Sequence, residues 1–265
     1  MKKSHLKNKV TKRVERLNNI LNTLKVKGGS TVKDLALYLN VSDMTIRRDL
    51  SLLEGQGLVK IFHGSVVYNQ ECDDQTEYSV VMASEKNVLQ KQNIAKRAAS
   101  LVEPGDMLII DIGSTAEALT RALPEAIPLT IICYGVNILR EIVQRPNTEL
   151  IFTGGRFHRD TQMFESNKGI ALIREHRATK AFISAAGIDL KLGVTTINSY
   201  EIETKRAALE SSLTRILIAD SSKFGKVMPA HFAEITDFDV IITDKAIDTQ
   251  YSKTIIDYGI DLILV

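Results

Sequence analysis

A chain of 265 residues is long enough for one large domain, or for a small domain followed by a larger one. Its 44% apolar and 25% charged residues are ordinary for a globular fold, and no apolar run approaches the roughly 18–20 residues that span a bilayer. The net charge of +2 hides an asymmetry: residues 1–66 carry 13 Lys/Arg against five acids, a net of +8, leaving 21 basic against 27 acidic residues in the remainder.

A basic segment joined to an acidic one suggests that the first part alone meets a polyanion, although charge by itself favours a solvated basic helix. The start, MKKSHLKNKV, is basic but lacks the apolar core of a signal peptide. Cys72 and Cys133 lie far apart, without a Cys or His at ligand spacing, which speaks against a disulfide scaffold or a zinc site. The expectation is a cytoplasmic protein with no membrane segment, no metal and no other cofactor.

From Lys9 to about Val26, the residues Val10, Val14, Leu17, Ile20, Leu21 and Leu24 recur at helical spacing, and KGGS (27–30) stops that helix. TVKD (31–34) has the Thr-x-x-Asp spacing of a helix start, and Val32, Leu35, Ala36 and Leu39 give the second helix an apolar face. NVS (40–42) is a tight turn. Ser42 then caps a third helix through about Glu54, with Ile46, Leu50 and Leu53 buried. GQGLVKIFHGSVVYN (55–69) reads as a short hairpin with HGS at its tip.

Three helices, a short turn and a hairpin make a winged helix-turn-helix. The third helix would enter the major groove, where Arg can take guanine O6 and N7 or clamp a phosphate. Ser42, Asp43, Thr45, Arg47 and Arg48 are the candidate DNA contacts on it, with Lys60 and His63 on the wing. Arg47 and Arg48 point roughly 100° apart around the helix, so one can read bases while the other holds the backbone.

Residues 70–84, QECDDQTEYSVVMAS, are polar and acidic and form the expected linker between a DNA-binding domain at 1–69 and a larger domain at 85–265. The larger part alternates apolar runs with helical segments. The runs are MLIID (107–111), LTIICY (129–134), ELIFT (149–153), KAFISAA (180–186), RILIAD (215–220), VIIT (240–243) and DLILV (261–265). Helices are expected at about 115–123, 137–144, 169–176, 200–211 and 249–258. The fold class is therefore α/β, with a mainly parallel sheet covered on both faces and ligands at the carboxyl ends of its strands.

Gly113, Ser114 and Thr115, where MLIID runs into a helix, offer free amides to a phosphate, or form an ordinary strand–helix turn. Gly154 and Gly155 supply a second amide-rich turn or a plain bend. Asn137 binds a sugar hydroxyl or caps its helix, and Asp111 orients hydroxyls or only its own loop. Thr195 and Thr196 lie in a loop before Glu201 and Lys205, an i, i+4 pair at a pocket mouth or on the surface. Lys223 with Asp220 marks another strand end, whereas His158 and Arg159 read as solvated surface.

VSDMTIRRDLSLLEGQGLVKIFHGS, DIGSTAEAL, TGGRFH, SAAGIDLKLGVTT and ADSSKFGK, spread over nearly the whole chain, resemble successive motifs of the DeoR family of bacterial transcriptional regulators. The departure is HGS, where the family more often has two glycines. The resemblance implies a repressor of a sugar or nucleoside catabolism operon, at least dimeric. Its partners would be double-stranded operator DNA and a phosphorylated sugar, deoxyribose 5-phosphate being one candidate. The second domain also looks like the fold shared with ribose-phosphate isomerases and CoA transferases, which raises a phosphosugar isomerase with an accessory DNA-binding domain as the alternative. Ala185 and Ala186 stand where those isomerases carry an acid, and Asp189 has no evident proton-transfer partner, so a binding role is favoured over catalysis.

Overall fold

The structure, a computed structural model, describes residues 16, 17, 19–21, 23, 24, 27–55, 59–62, 65–68, 80–84 and 86–265. The chain divides into two compact units. One runs to residue 77 and includes Gly225–Pro229; the other holds Tyr78–Phe224 and Ala230–Val265.

In the first unit the described residues of the leading helix bury Ile20 and Leu24. Gly28 follows at φ +78°, and its amide donates to the Leu24 carbonyl at 2.7 Å, a left-handed exit that suits a residue without Cβ. Strand β1 (Gly29–Thr31) comes next, overlapping the KGGS segment that stops the helix. It pairs antiparallel with a later strand, because Gly29 and Ser30 are extended and place no bulk against it.

Helix α1 (Val32–Tyr38) starts as expected: the Thr31 hydroxyl accepts the Asp34 amide and donates to the Asp34 carboxylate. After a turn in which Asn40 takes φ +50°, α2 (Asp43–Gly55) runs with Ile46, Leu50 and Leu53 buried. Strands β2 (Val59–Phe62) and β3 (Ser65–Tyr68) form the wing, in the order β1-β3-β2. Ile46, Leu50, Val59 and Val66 join Ile20 and Leu24 in one apolar cluster. At about 1.5–3 kcal/mol per fully buried side chain, this small core is what holds the unit's helices to its sheet. His63, with Gly64, lies outside the described residues.

In the second unit, α3 (Val80–Ser84) occupies part of the stretch expected to be linker, and α4 (Val88–Ala99) follows. Then come β4 (Met107–Ile110), α5 (Ser114–Ala122), β5 (Leu129–Cys133), α6 (Val136–Ile142) and β6 (Thr148–Phe152). A hairpin of β7 (Arg156–His158) and β8 (Met163–Glu165) precedes α7 (Asn167–Glu175) and β9 (Ala178–Ile183). Strands β10 (Gly187–Asp189) and β11 (Gly193–Thr196), helix α8 (Ile202–Glu210), β12 (Ser212–Ile218) and β13 (Ala230–Ala233) follow. The unit closes with β14 (Val240–Thr243), α9 (Thr249–Asp257) and β15 (Asp261–Leu264).

The main sheet has the order β15-β14-β12-β9-β4-β5-β6, and every pairing in it is parallel. Alternate residues of each strand serve opposite faces. Leu108 and Ile110 join Ile131, Phe182, Ile216 and Ile242 on one face, against Ile94 and Ala98 of α4 and Leu119 of α5. Ile109 joins Ile132, Ala181, Leu217 and Ile241 on the other, against Ala207 of α8 and Ile255 of α9.

The chain leaves β4 towards β5 on one side and returns to β9 on the other. The carboxyl ends of β4 and β9 therefore flank a switch point, where loops diverge and leave a crevice.

Candidate functional site

Two sets of residues stand apart from the cores. The first is the outer face of α2. Ser42 accepts the Thr45 amide at 3.3 Å and its hydroxyl lies 2.9 Å from that of Thr45, which fixes the helix start. Burial of Ile46 and Leu50 turns Met44, Arg47 and Arg48 outward, and all three are exposed. Among the described residues neither arginine has an ion-pair or hydrogen-bond partner. Asp49, 1% exposed, instead accepts from Arg16 Nε at 2.6 Å, tying the leading helix to α2. Glu54 accepts the Ile61 amide at 3.3 Å and joins the end of α2 to the wing strand that carries Lys60.

The second is a cleft at the carboxyl ends of β4 and β9. Ile112, Gly113, Ser114 and Thr115 form one wall, Ser184, Ala185 and Ala186 the next, Thr196, Ile197 and Glu201 a third, and Ala83, Lys91 and Lys223 the last. Gly113 caps α5 at φ +100°, a conformation that L side chains rarely adopt, and no side chain caps the helix there. The first amides of α5 and the positive end of its dipole are thereby left at the cleft wall.

Behind that wall is a braced polar network. Asp111, fully buried, accepts from Tyr134 Oη at 2.6 Å, from the Ser184 amide and hydroxyl at 2.8 Å each, and from Lys205 Nζ at 2.5 Å. Lys205, 1% exposed, also donates to the Ser184 carbonyl at 3.1 Å and stands 3.8 Å from Glu201. Burial pushes the Glu201 carboxyl above its ordinary range, against the pull of Lys205 and a bond from the Thr196 hydroxyl. Burial, reinforced by Asp111, likewise pushes the Tyr134 phenol well up. These groups hold the loops after β4 and β9 in one arrangement.

Of the candidates from the sequence, Gly113, Ser114, Thr115, Glu201 and Lys223 line the cleft together. Asp111 and Lys205 pair behind it rather than on its wall. Asn137 does not cap its helix, whose cap is Gly135. Its amide instead donates to the Gly113 carbonyl at 3.3 Å and to Glu117 at 3.2 Å, steadying the loop. Thr195 is 1% exposed and donates to the Gly187 carbonyl, so the neighbouring Thr196 is the threonine at the cleft.

Gly154 and Gly155 lie off the cleft walls. A Cβ on Gly155 would stand 2.2 Å from the Glu165 carbonyl oxygen, which is the close approach that needs glycine there. His158 is not solvated surface: it stacks on Tyr200 at 3.6 Å between centroids and bonds Glu165 at 2.9 Å, whereas Arg159 is exposed.

Lys91 and Ser184 were missed in the sequence. For Lys91 a signal existed, because it falls three and four residues before the apolar Ile94 and Ala95 and so shares the buried face of α4.

Comparison with known proteins adds lineage to this geometry. Residues 16–72 match the DeoR-like helix-turn-helix domain, and residues 86–245 match the DeoR C terminal sensor domain. The deoxyribose operon repressor of Escherichia coli (strain K12) is 32% identical over 92% of this chain and 95% of its own length. The chain belongs to the DeoR family. Within it, the HTH-type transcriptional regulator GolR of Listeria innocua is 33% identical over 93% of this chain and 96% of its own. Ribose 5-phosphate isomerase A from Methanocaldococcus jannaschii superposes on 52% of this chain and 55% of its own with a TM-score of 0.39 and 18% identity, a likeness too distant to carry weight. The DeoR-family chain has, among its described residues, no helix long and apolar enough to cross a membrane.

Proposed function

We propose that this DeoR-family protein represses a sugar or nucleoside catabolism operon and leaves its operator when a phosphorylated sugar fills the cleft. The observation that carries the reading is the cleft wall itself. An uncapped helix start at Gly113 lies beside two lysines, with hydroxyls and a carboxylate opposite. Amides and cations suit a phosphate, and Ser184, Thr196 and Glu201 suit sugar hydroxyls. Arg47 and Arg48, exposed and unpaired among the described residues, are the DNA-reading pair; Ser42, Asp43 and Thr45 accompany them, with Lys60 and His63 on the wing.

Deoxyribose 5-phosphate is the first effector to try, since the K12 relative's name refers to deoxyribose. Two or more chains occupy operator half-sites, and the effector acts by favouring an arrangement that mismatches their spacing. Catalysis is not part of the proposal. Ala185 and Ala186 offer the cleft no acid, and the Glu201 oxygens are engaged by Thr196, Asn198 and Lys205. Asp189 is engaged elsewhere, accepting the Lys191 and Leu192 amides and the Tyr251 hydroxyl.

Fluorescence anisotropy with labelled DNA from the protein's own promoter tests the proposal. Deoxyribose 5-phosphate or another sugar phosphate should release the DNA while the free sugar does not. Equal release by both, or by neither across a panel of sugar phosphates, would contradict it.

A further inference from the structure

Lys91 is one of the most buried cations of the second unit, at 5% exposure, and it forms part of the cleft wall. Its ammonium donates to two backbone carbonyls, Ala83 at 2.6 Å and Lys86 at 2.7 Å. An ammonium has three protons, and among the described residues the third has no acceptor. The charges that face it are uneven: Asp220 attracts, whereas Lys223 and Lys86 repel. Burial holds its pKa below the ordinary lysine value, as expected for a cation whose surroundings do not neutralise it.

The two carbonyls belong to the segment by which the chain enters the second unit. Ala83 is in α3, and Lys86 is in the turn before α4, where the Lys86 amide also bonds the Ala83 carbonyl at 3.2 Å. Asn87, at φ +52°, follows and donates to Asp220 at 2.9 Å and Ser222 at 3.2 Å, next to the cleft-lining Lys223.

Resting on the ligand reading above, we propose that Lys91 is a ligand of the effector's anionic group and couples occupancy of the cleft to its contacts with Ala83 and Lys86. Two protons hold the carbonyls and the third meets the anion. A phosphate supplies the negative charge that Asp220 alone does not, and the charge-assisted bond polarises the two already present. Anion binding and the Lys91 contacts with the Ala83 and Lys86 carbonyls therefore stabilise each other, and by linkage the effect is reciprocal. Residues 80–84 lead by the chain itself towards the DNA-binding unit, so a tightened turn is a change that the rest of the protein can feel.

The test is amide hydrogen exchange on the peptide covering residues 80–91 of the full-length protein, with binding followed by calorimetry. In the wild type, saturating deoxyribose 5-phosphate, and inorganic phosphate at higher concentration, should slow exchange in that peptide, whereas deoxyribose should not. Lys91→Met should weaken binding about 10-fold or more, and at saturation its 80–91 peptide should exchange as in the free protein. Lys91→Arg, which keeps the charge, should lose less affinity than the methionine variant.

Wild-type affinity in Lys91→Met, or full ligand protection of its 80–91 peptide, overturns the inference. So does a wild type that binds the sugar phosphate with no slowing there, a result that needs no variant to fold. A wild type that binds no sugar phosphate of the panel overturns the ligand reading, and this inference with it.

Discussion

Arg47 and Arg48 are exposed on α2 and, among the described residues, have no ion-pair or hydrogen-bond partner, so their replacement separates binding from stability. Arg47→Ala and Arg48→Ala should each leave the thermal midpoint unchanged while weakening operator binding. A base-reading arginine costs about 1–3 kcal/mol and relaxes preference at one position; a phosphate-holding one weakens all sequences and lowers the salt slope. Wild-type affinity in both variants and in the double variant would remove α2 from the interface.

Asp111 predicts the opposite pattern, because its loss leaves Lys205 buried without its closest countercharge. Asp111→Ala should destabilise the second unit by about 3–5 kcal/mol, read as a fall in thermal midpoint before any ligand is added. A third residue-scale expectation concerns pH. The Arg215 guanidinium holds the Asp239 carboxyl below its ordinary range through a paired contact at 2.8 and 3.0 Å. The folded pKa lies below the unfolded one, so the stabilisation is present above the usual Asp value of about 3.9 and is lost as pH falls through the folded value. Asp239→Asn should therefore lower the midpoint at pH 7, and the gap to wild type should close in acid.

At the scale of elements, the inner strands of the main sheet were legible because they are buried on both faces and read as continuous apolar runs. MLIID, LTIICY and VIIT needed no partner to be recognised. The hairpin of β7 and β8 and the antiparallel set β10-β11-β13 were not, because strands of three or four residues such as RFH and GID are too short to show a period. Nor did KGGS announce β1, since its pairing with β3 is a long-range contact that no local propensity records.

The same limit divided the cleft. Gly113–Thr115 stood out through the local pattern of strand, small residues and helix. The sequence leaves Lys205 and Glu201 a pair at a pocket mouth or on the surface, because nothing in it shows that Asp111, 94 positions earlier, meets Lys205. The α5 start can be tested as an element. Ser114→Asp places a negative charge where the uncapped amides await one, and should abolish the rise in thermal midpoint given by a sugar phosphate. A retained shift would move the anion site elsewhere.

For the whole molecule, the charge asymmetry of the sequence and the two matched family domains describe the same division: a basic reader of DNA and an acidic sensor. The central claim is that the sensor binds a sugar phosphate as a signal and does not consume it. Recognition of a signal requires complementarity to the ground state, whereas turnover requires better complementarity to a transition state. The most direct measurement incubates deoxyribose 5-phosphate, or the sugar phosphate found active in the panel, with excess protein and operator DNA, following the sugar by NMR and the DNA by gel shift in the same sample. The account predicts stoichiometric release of the DNA with the sugar chemically intact after hours. Conversion of the sugar while the DNA stays bound would contradict it.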